Sequence, residues 1–202
     1  MGTIILVLLA GYLSGSLVWG YWISRLKGCD VRRYGSGNIG ATNVYRVLGK
    51  GPGAITLVLD ILKGALPVIL ARQFFPSLPS LVLLGVGAAA VAGSMFPVFL
   101  RFKGGKGVNA TFGVIIALFP LSALSSLGVW ILIFFSFGIV SLASLTSAFS
   151  LIFWIAFFQK NLVYTGAGIL IFLLIVWTHR SNIKRIVTGK EARIFLWKKF
   201  RS

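Results

Sequence analysis

Long apolar segments alternate with short polar segments along this chain, and their lengths predict membrane-spanning helices. A helix needs about 20 apolar residues to cross the hydrocarbon core of a bilayer. The first three segments that reach this length lie at about 3–24, 53–74 and 80–100, and a turn from Pro76 to Pro79 separates the last two. Each of the three is predicted to form one transmembrane helix.

The next stretch is apolar over a much greater length. No charged residue occurs from Gly107 to Gln159, and basic segments flank the stretch from Gly107 to Thr178. If both flanks lie on one side of the membrane, the number of crossings is even. Two crossings would leave about 35 residues each, which is too many for about 30 Å of hydrocarbon, whereas four crossings of about 18 residues fit. The breaks between them are expected at Pro120, near Gly138 and near Lys160. The sequence therefore predicts an all-α protein with seven transmembrane helices.

The composition indicates the same class of protein. Of the 202 residues, 57% are hydrophobic and 11% are charged, compared with roughly 25% charged residues in soluble domains. Mean hydropathy is +0.95. The first apolar run lacks a basic amino end and is too long for a secretory signal, so we expect a retained helix. A single cysteine, Cys29, excludes an intramolecular disulfide framework and a cysteine-based metal site. We expect one membrane domain over residues 1–202.

Basic residues outnumber acidic ones by 20 to 3, and most of them fall in three regions. These regions are 25–50, 101–106 and 180–201, the last of which includes Lys198, Lys199 and Arg201. The positive-inside rule places all three in the cytoplasm, which puts the amino terminus outside and the carboxyl terminus inside. Their role as topology determinants, together with attraction to anionic lipid, explains most of these charges. Nucleic acid is disfavoured as a partner, because aromatic stacking platforms are not interleaved with the basic residues.

The segment from Tyr34 to Arg46 suits an anion better than it suits lipid. Its glycines, short hydrogen-bonding side chains and closing arginine are Gly35, Ser36, Gly37, Asn38, Gly40, Thr42, Asn43 and Arg46. Glycine lets the backbone approach a ligand closely, and backbone N–H groups together with arginine hold phosphate. Thr42 or Asn43 is expected to cap the following helix. The glycine spacing also fits a dinucleotide signature, but no strand precedes it. A flexible linker between helices is the alternative.

A second glycine-rich segment follows the third predicted helix, which is expected to bend or end at Gly93–Pro97. It contains Lys103, Gly104, Gly105 and Lys106. It resembles a Walker A loop only superficially, because Gly107 stands where serine or threonine is required. Two lysines around a glycine pair still suit contact with a phosphate, and an ordinary basic loop is the alternative.

Two further polar groups adjoin the apolar segments. Asp60 and Lys63 share one helix face beside Gly64. We expect them to pair with each other or with another loop, because an unpaired charge there costs at least about 2.5 kcal/mol. His179 and Asn182 lie three residues apart at the end of the last predicted helix and are candidates for one shared face. Because acidic residues are so scarce, a carboxylate-pair mechanism and an acid-rich metal site are both disfavoured. These patterns together predict a cytoplasm-facing pocket for a substrate with a phosphate and an apolar tail.

Four motifs in order along the chain resemble the bacterial acyl-phosphate:glycerol-3-phosphate acyltransferases. They are GSGNIGATNVYR at 35–46, DILKGALP at 60–67, FPVFLRFKGGKGV at 96–108 and HRSNIKRIVTGKE at 179–191. The resemblance implies a seven-helix enzyme of the bacterial plasma membrane, with its active site facing the cytoplasm. It would move a fatty acyl group from acyl phosphate to the 1-hydroxyl of glycerol 3-phosphate. The product would be lysophosphatidic acid, the first committed intermediate of phospholipid synthesis.

The resemblance also implies roles for individual residues. Those implied as catalytic are Ser36, Arg46, Lys106, His179 and Asn182. Those implied as substrate-binding are Gly35, Gly37, Asn38, Gly40, Thr42, Asn43, Lys63, Gly64, Lys103, Gly104 and Gly105. One position departs from the family pattern, because Gly93-Ser94 stands where Gly-His is expected. We assign Ser94 no catalytic part.

An acyl phosphate is already activated, so direct transfer without an acyl-enzyme is expected, with neither metal nor cofactor. Either His179 or a phosphate oxygen of the substrates could accept the proton. Three other hypotheses about the function stay open: a transporter of a phosphorylated metabolite, a lipid phosphotransferase and a purely structural membrane protein. The transporter is the main alternative, although no inverted repeat is evident in the sequence.

Overall fold

The computed structural model describes residues 1–194, and all regular secondary structure within that range is helical. Lys198, Lys199 and Arg201, which were expected to face the cytoplasm, lie outside the described residues. The chain forms two compact units, Met1–Pro120 and Leu121–Ser202.

The first unit contains six α-helices and two short 3₁₀ turns. The helices are α1 (Gly2–Gly15), α2 (Trp19–Leu26), α3 (Ala41–Leu48), α4 (Lys50–Phe74), α5 (Ser80–Met95) and α6 (Val108–Leu118). The 3₁₀ turns are Val31–Arg33 and Val98–Leu100. The predicted end of the third apolar helix within Gly93–Pro97 is confirmed, since α5 ends at Met95.

The first apolar span, expected as one helix over about 3–24, is instead broken. α1 ends at Gly15, α2 begins at Trp19, and the two helices meet at an angle of 42°. Val18 leaves the helical conformation with φ −104° and ψ 74°. The expectation of a continuous helix was wrong because the break depends on contacts with other segments. One of these is a hydrogen bond from Lys63 Nζ of α4 to Leu17 O, at 2.9 Å.

Small residues let the helices of the first unit approach closely. A side chain at Gly15 would collide with the Ala90 backbone of α5, so α1 and α5 pack backbone to backbone. In the same way, a side chain at Gly113 of α6 would collide with Ile61 O of α4. Close packing of small residues is a common basis for helix association in membranes. α4 therefore lies against α6, and α1 against α5.

The second unit contains α7 (Pro120–Phe137), α8 (Val140–Gln159), α9 (Leu162–Thr178) and α10 (Arg180–Val187). The three breaks predicted at Pro120, near Gly138 and near Lys160 are confirmed. Gly138 and Lys160 both have positive φ, at 70° and 47°, which ends a helix. The side chain of Asn161 then caps α9 by accepting from Val163 N and Tyr164 N.

Four helices in the described chain are long and apolar enough to cross a bilayer. They are Lys50–Phe74, Ser80–Leu100, Pro120–Phe137 and Val140–Gln159. Two bent pairs, α1 with α2 and α9 with α10, raise the number of candidate spans to six. α6 is apolar but has only 11 residues, which corresponds to about 16 Å of helix. Over the residues that the structure describes, the protein is therefore all-helical, and its apolar helices are those of a multi-pass membrane protein.

Candidate active site

The loop before α3 is organised by the side chain of Asn43. Its Oδ1 accepts from Ser36 N at 2.8 Å, and its Nδ2 donates to Val31 O and Tyr34 O at 3.1 Å each. Asn43 is 1% exposed. These three bonds fold residues 31–36 over the first turn of α3. The expectation that Thr42 or Asn43 caps this helix was wrong: Gly40 is the N-cap residue, and Asn43 lies within the helix.

Two glycines allow the chain to fold around Asn43. Gly35 and Gly37 have φ of 61° and 71°, which other residues rarely adopt. A side chain at Gly35 would also collide with Asn43 Oδ1. Between them, Ser36 is exposed, and its hydroxyl has no hydrogen bond within residues 1–194. The loop thus presents a serine hydroxyl on a fixed backbone.

Most of the backbone donors in this loop are already used. Ser36 N binds Asn43, Gly37 N donates to Tyr34 O at 3.0 Å, and Gly40 N donates to Asn38 Oδ1 at 3.1 Å. The groups that face outward are therefore side chains and the start of α3, whose first N–H groups lack helical acceptors. Arg46 lies one turn after Thr42 on α3 and is exposed. An anion at this loop would meet hydroxyl and guanidinium donors more than backbone amides.

The second glycine-rich loop folds back onto the end of α5. Gly104 N donates to Met95 O at 3.2 Å, and Gly105 N donates to Ser94 O at 3.1 Å. A side chain at Gly104 would lie 2.5 Å from both carbonyl oxygens, so glycine is required there. Ser94 therefore meets this loop through its backbone carbonyl.

The two lysines of this loop differ in their surroundings. Lys103 is exposed, whereas Lys106 is half-buried just before α6 begins. Gly107 separates Lys106 from the helix and has φ of 76°. The turn therefore presents two cations on either side of a tightly held glycine pair.

The two loops are neighbours within the first unit. A side chain built at Gly105 would lie 3.5 Å from Asn38 Oδ1 and 3.7 Å from Ile39 Cγ1. The structure thus brings together segments that are separated by more than 60 residues in the sequence. The turn at Gly105 therefore lies beside Asn38 and Ile39 of the first loop.

Lys63 and Gly64 are buried in contacts with other residues of the protein. The predicted ion pair is confirmed, since Lys63 Nζ lies 2.8 Å from Asp60 Oδ1. Lys63 is 5% exposed, and a side chain at Gly64 would collide with the Ala110 carbonyl of α6. Their implied contacts with substrate stay predictions.

His179 and Asn182 belong to the second unit, at the junction of α9 and α10. His179 is 2% exposed, and its Nδ1 lies 2.8 Å from Ile175 O. Because a carbonyl oxygen only accepts, Nδ1 carries a proton, so in the neutral form of the ring the lone pair lies on Nε2. This tautomer leaves Nε2 as the basic nitrogen of His179.

Asn182 is held by a carboxylate whose role the sequence did not predict. Asn182 Nδ2 donates to Glu191 Oε1 at 2.6 Å, and Ser141 Oγ of α8 donates to the same oxygen at 2.7 Å. Arg185 Nε donates to Glu191 Oε2 at 2.6 Å. Burial raises the pKa of Glu191, but the three hydrogen bonds outweigh it and leave the pKa below its usual value. A carboxylate after a basic cluster, in a chain with only three acidic residues, was the available signal.

Comparison with known proteins gives a consistent result. Residues 5–189 match the sequence profile of the family described as glycerol-3-phosphate acyltransferase. A glycerol-3-phosphate acyltransferase of Myxococcus xanthus is 46% identical, over 93% of this chain and 97% of that relative. One from Aquifex aeolicus is also 46% identical, over 96% of this chain and 100% of the relative.

The fold also matches solved structures. A crystal structure of PlsY (YgiH), an integral membrane glycerol 3-phosphate acyltransferase in its glycerol 3-phosphate form, superposes with a TM-score of 0.90. It is 42% identical and covers 95% of this chain and 96% of that chain. The lysophosphatidic acid form of the same enzyme gives a TM-score of 0.87 at 42% identity, with 95% of each chain covered.

Proposed function

Because this chain belongs to the glycerol-3-phosphate acyltransferase family, we propose that it moves a fatty acyl group from acyl phosphate to the 1-hydroxyl of glycerol 3-phosphate. The products are lysophosphatidic acid and inorganic phosphate. The observation that carries this proposal is that two segments lie side by side at Gly105 and Asn38. One is 34–46, which comprises the first loop and the start of α3, and the other is the second loop, 103–106. Both reactants bear a phosphate, and the two loops supply two sets of phosphate-binding groups in one region.

The first loop is proposed to hold the phosphate of the acyl donor. Ser36 offers an exposed hydroxyl, and Arg46 offers a guanidinium that can bind a phosphate through two parallel hydrogen bonds. Asn43 keeps Ser36 in place from beneath. Gly35, Gly37, Asn38, Gly40 and Thr42 would shape this side of the site.

The second loop is proposed to supply further phosphate contacts. Lys103 and Lys106 flank a glycine pair whose backbone is fixed against α5. A fixed turn keeps the cations within reach of an anion without a further loss of backbone entropy on binding.

The chemistry follows from the activated donor. Attack by the glycerol hydroxyl forms the new ester bond, and the bond from the acyl carbon to the phosphate oxygen breaks. Charge develops on the carbonyl oxygen and on the departing phosphate, and we propose that Arg46 and Lys106 stabilise this negative charge. Alignment of hydroxyl and carbonyl supplies the rest of the rate enhancement. The transfer is direct, and a covalently acylated enzyme trapped after mixing with acyl phosphate would contradict it.

The proton of the attacking hydroxyl has two candidate acceptors. One is His179 Nε2, which carries the lone pair of the neutral ring because Nδ1 donates to Ile175 O. The other is a phosphate oxygen of a substrate. If His179 is the base, His179→Ala lowers kcat by about a hundredfold or more. A variant that keeps most of its kcat in a steady-state assay would assign the proton to the substrate phosphate.

We place the chain in the bacterial plasma membrane with seven crossings, an external amino terminus and a cytoplasmic carboxyl terminus. Six crossings correspond to the long helices and the bent pairs. α6 provides the seventh, although its 11 residues are short for a bilayer. Non-helical backbone is tolerated at membrane depth where protein covers it, and α6 packs against α4 and α5.

An assay of the purified protein tests the proposed activity. Palmitoyl phosphate and labelled glycerol 3-phosphate, without added metal, should yield labelled lysophosphatidic acid. The main alternative is a transporter of a phosphorylated metabolite. Uptake of labelled glycerol 3-phosphate into proteoliposomes with no acylated product would favour the transporter and overturn the enzyme.

A further inference from the structure

The ammonium group of Lys63 joins α4 to the break between α1 and α2. Lys63 Nζ donates to Leu17 O at 2.9 Å and pairs with Asp60 Oδ1 at 2.8 Å. In the opposite direction, Ser14 Oγ donates to Lys63 O at 2.9 Å. Leu17 O lies where the helix is interrupted and has no intrahelical donor. Lys63 thus satisfies a carbonyl that the break exposes.

The residues after the break support the first candidate loop. Val18 is 2% exposed and packs in one buried cluster with Val31, Ile39 and Val44. A side chain at Gly20 of α2 would collide with Ile39 O, so α2 and the loop touch backbone to backbone. A shift of the break would therefore move both ends of the 31–44 segment, which carries Ser36 and Asn43.

Asp60 reaches the second candidate loop. It is hydrogen-bonded by the side chain of Asn109, in the first turn of α6. Asn109 lies three residues after Lys106 and follows the left-handed Gly107. The same carboxylate that pairs with Lys63 thus fixes the point at which the second loop enters its helix.

We propose that the buried Asp60–Lys63 pair is a positioning device that sets the two substrate loops relative to each other. Lys63 holds the α1–α2 break, against which the first loop packs. Asp60 holds the start of α6, which the second loop enters. This inference rests on the proposed function, because it assumes that both loops serve one reaction. It differs from the expectation that Lys63 contacts substrate directly.

Matched variants separate positioning from direct contact. We expect Lys63→Met and Asp60→Asn each to lower kcat by roughly ten- to a hundredfold, because misaligned loops misalign the reacting groups. The double variant should lose about as much as either single variant, since both act through one pair. A residue that bound a substrate phosphate would instead raise KM in Lys63→Met alone. That result, with Asp60→Asn near wild type, would overturn the proposal.

Hydrogen–deuterium exchange provides a measurement that does not depend on activity. The double variant carries no unpaired buried charge, so it serves if a single variant fails to fold. In it, we expect the amides of Ser36, Gly37, Gly104 and Gly105 to exchange on the order of tenfold faster, with α8 unchanged as an internal reference. Wild-type exchange in both loops of a folded double variant would overturn the proposal.

Arg72→Met is the control, because Arg72 is an exposed cation on the same helix. It should match wild type in kcat and in loop exchange, and the same losses in Arg72→Met would also count against the proposal. The outcomes stay distinguishable from failure of the proposed function. If the proposed function is wrong, the wild-type protein itself makes no lysophosphatidic acid. Hydrogen–deuterium exchange of the two loops still shows whether the Asp60–Lys63 pair holds them.

Discussion

At the scale of single residues, Asn43 and Arg46 of α3 have different roles at the first loop. Asn43 is buried and uses both ends of its amide to hold residues 31–36. Arg46 is exposed one turn later and carries the charge. The structure therefore predicts different consequences for their substitution, with loss of loop order at Asn43 and loss of phosphate binding at Arg46.

Arg46→Ala should abolish measurable turnover while the protein stays folded in the membrane. Removing one charge-stabilising donor costs about a hundred- to a thousandfold in kcat, and the exposed position leaves the packing unchanged. The check is a lysophosphatidic acid assay beside a thermal unfolding curve. Arg33→Ala, which removes an exposed arginine from the segment before the loop, is the control and should stay active. Near-normal activity of Arg46→Ala would reduce the loop to a linker.

The sequence was sufficient to single out the residues of both loops, but not the contacts that order them. Glycines, hydroxyls and cations in one short segment indicate an anion site by their chemistry alone. Whether Asn43 caps a helix or reaches back into the loop depends on where the helix starts. That start is set by the extended backbone of Gly40, and residue types alone did not reveal it.

At the scale of helices, local signals predicted the ends in the second unit, and a distant contact made the break in the first. Pro120, Gly138 and Lys160 lie at the predicted boundaries. At these positions the helix ends because of the residue itself, through the proline ring at Pro120 and through a positive φ at Gly138 and Lys160. The break at 16–18 has no such residue. It is stabilised by Lys63, 46 residues away from Leu17 in sequence, and this pairing could not be predicted from local periodicity.

The Glu191 carboxylate should stabilise the junction of α8 with α10 in a pH-dependent way. Its folded pKa lies below the ordinary value of 4.5. Its contribution to stability is therefore full above the unfolded pKa and is lost as pH falls through the lower folded pKa. Glu191→Gln should lower Tm by roughly 2–4 °C at pH 7.

Thermal unfolding in detergent from pH 7 to pH 3 measures this effect. The difference in Tm between wild type and Glu191→Gln should shrink as the medium becomes more acidic than the unfolded pKa. A difference that stays constant over the whole range would show that the charge of Glu191 is not what matters.

At the scale of the whole molecule, the charge map makes a prediction about sidedness that the native cysteine can test. Cys29, partly buried, lies between α2 and α3 in a region proposed to face the cytoplasm. A membrane-impermeant maleimide should label it in inside-out vesicles and not in right-side-out vesicles. Ser77→Cys in a Cys29→Ser background is the matched control, because Ser77 is exposed in the turn proposed to lie outside. The reverse labelling pattern would invert the topology.

The central claim is that acyl transfer takes place at the cytoplasmic face, and oriented vesicles test it most directly. Labelled glycerol 3-phosphate is charged and does not cross a bilayer unaided, so the side of addition defines the side of reaction. With palmitoyl phosphate present, inside-out vesicles containing the protein should form labelled lysophosphatidic acid, and sealed right-side-out vesicles should form almost none. Product formed only in right-side-out vesicles, or in neither preparation, would contradict the claim.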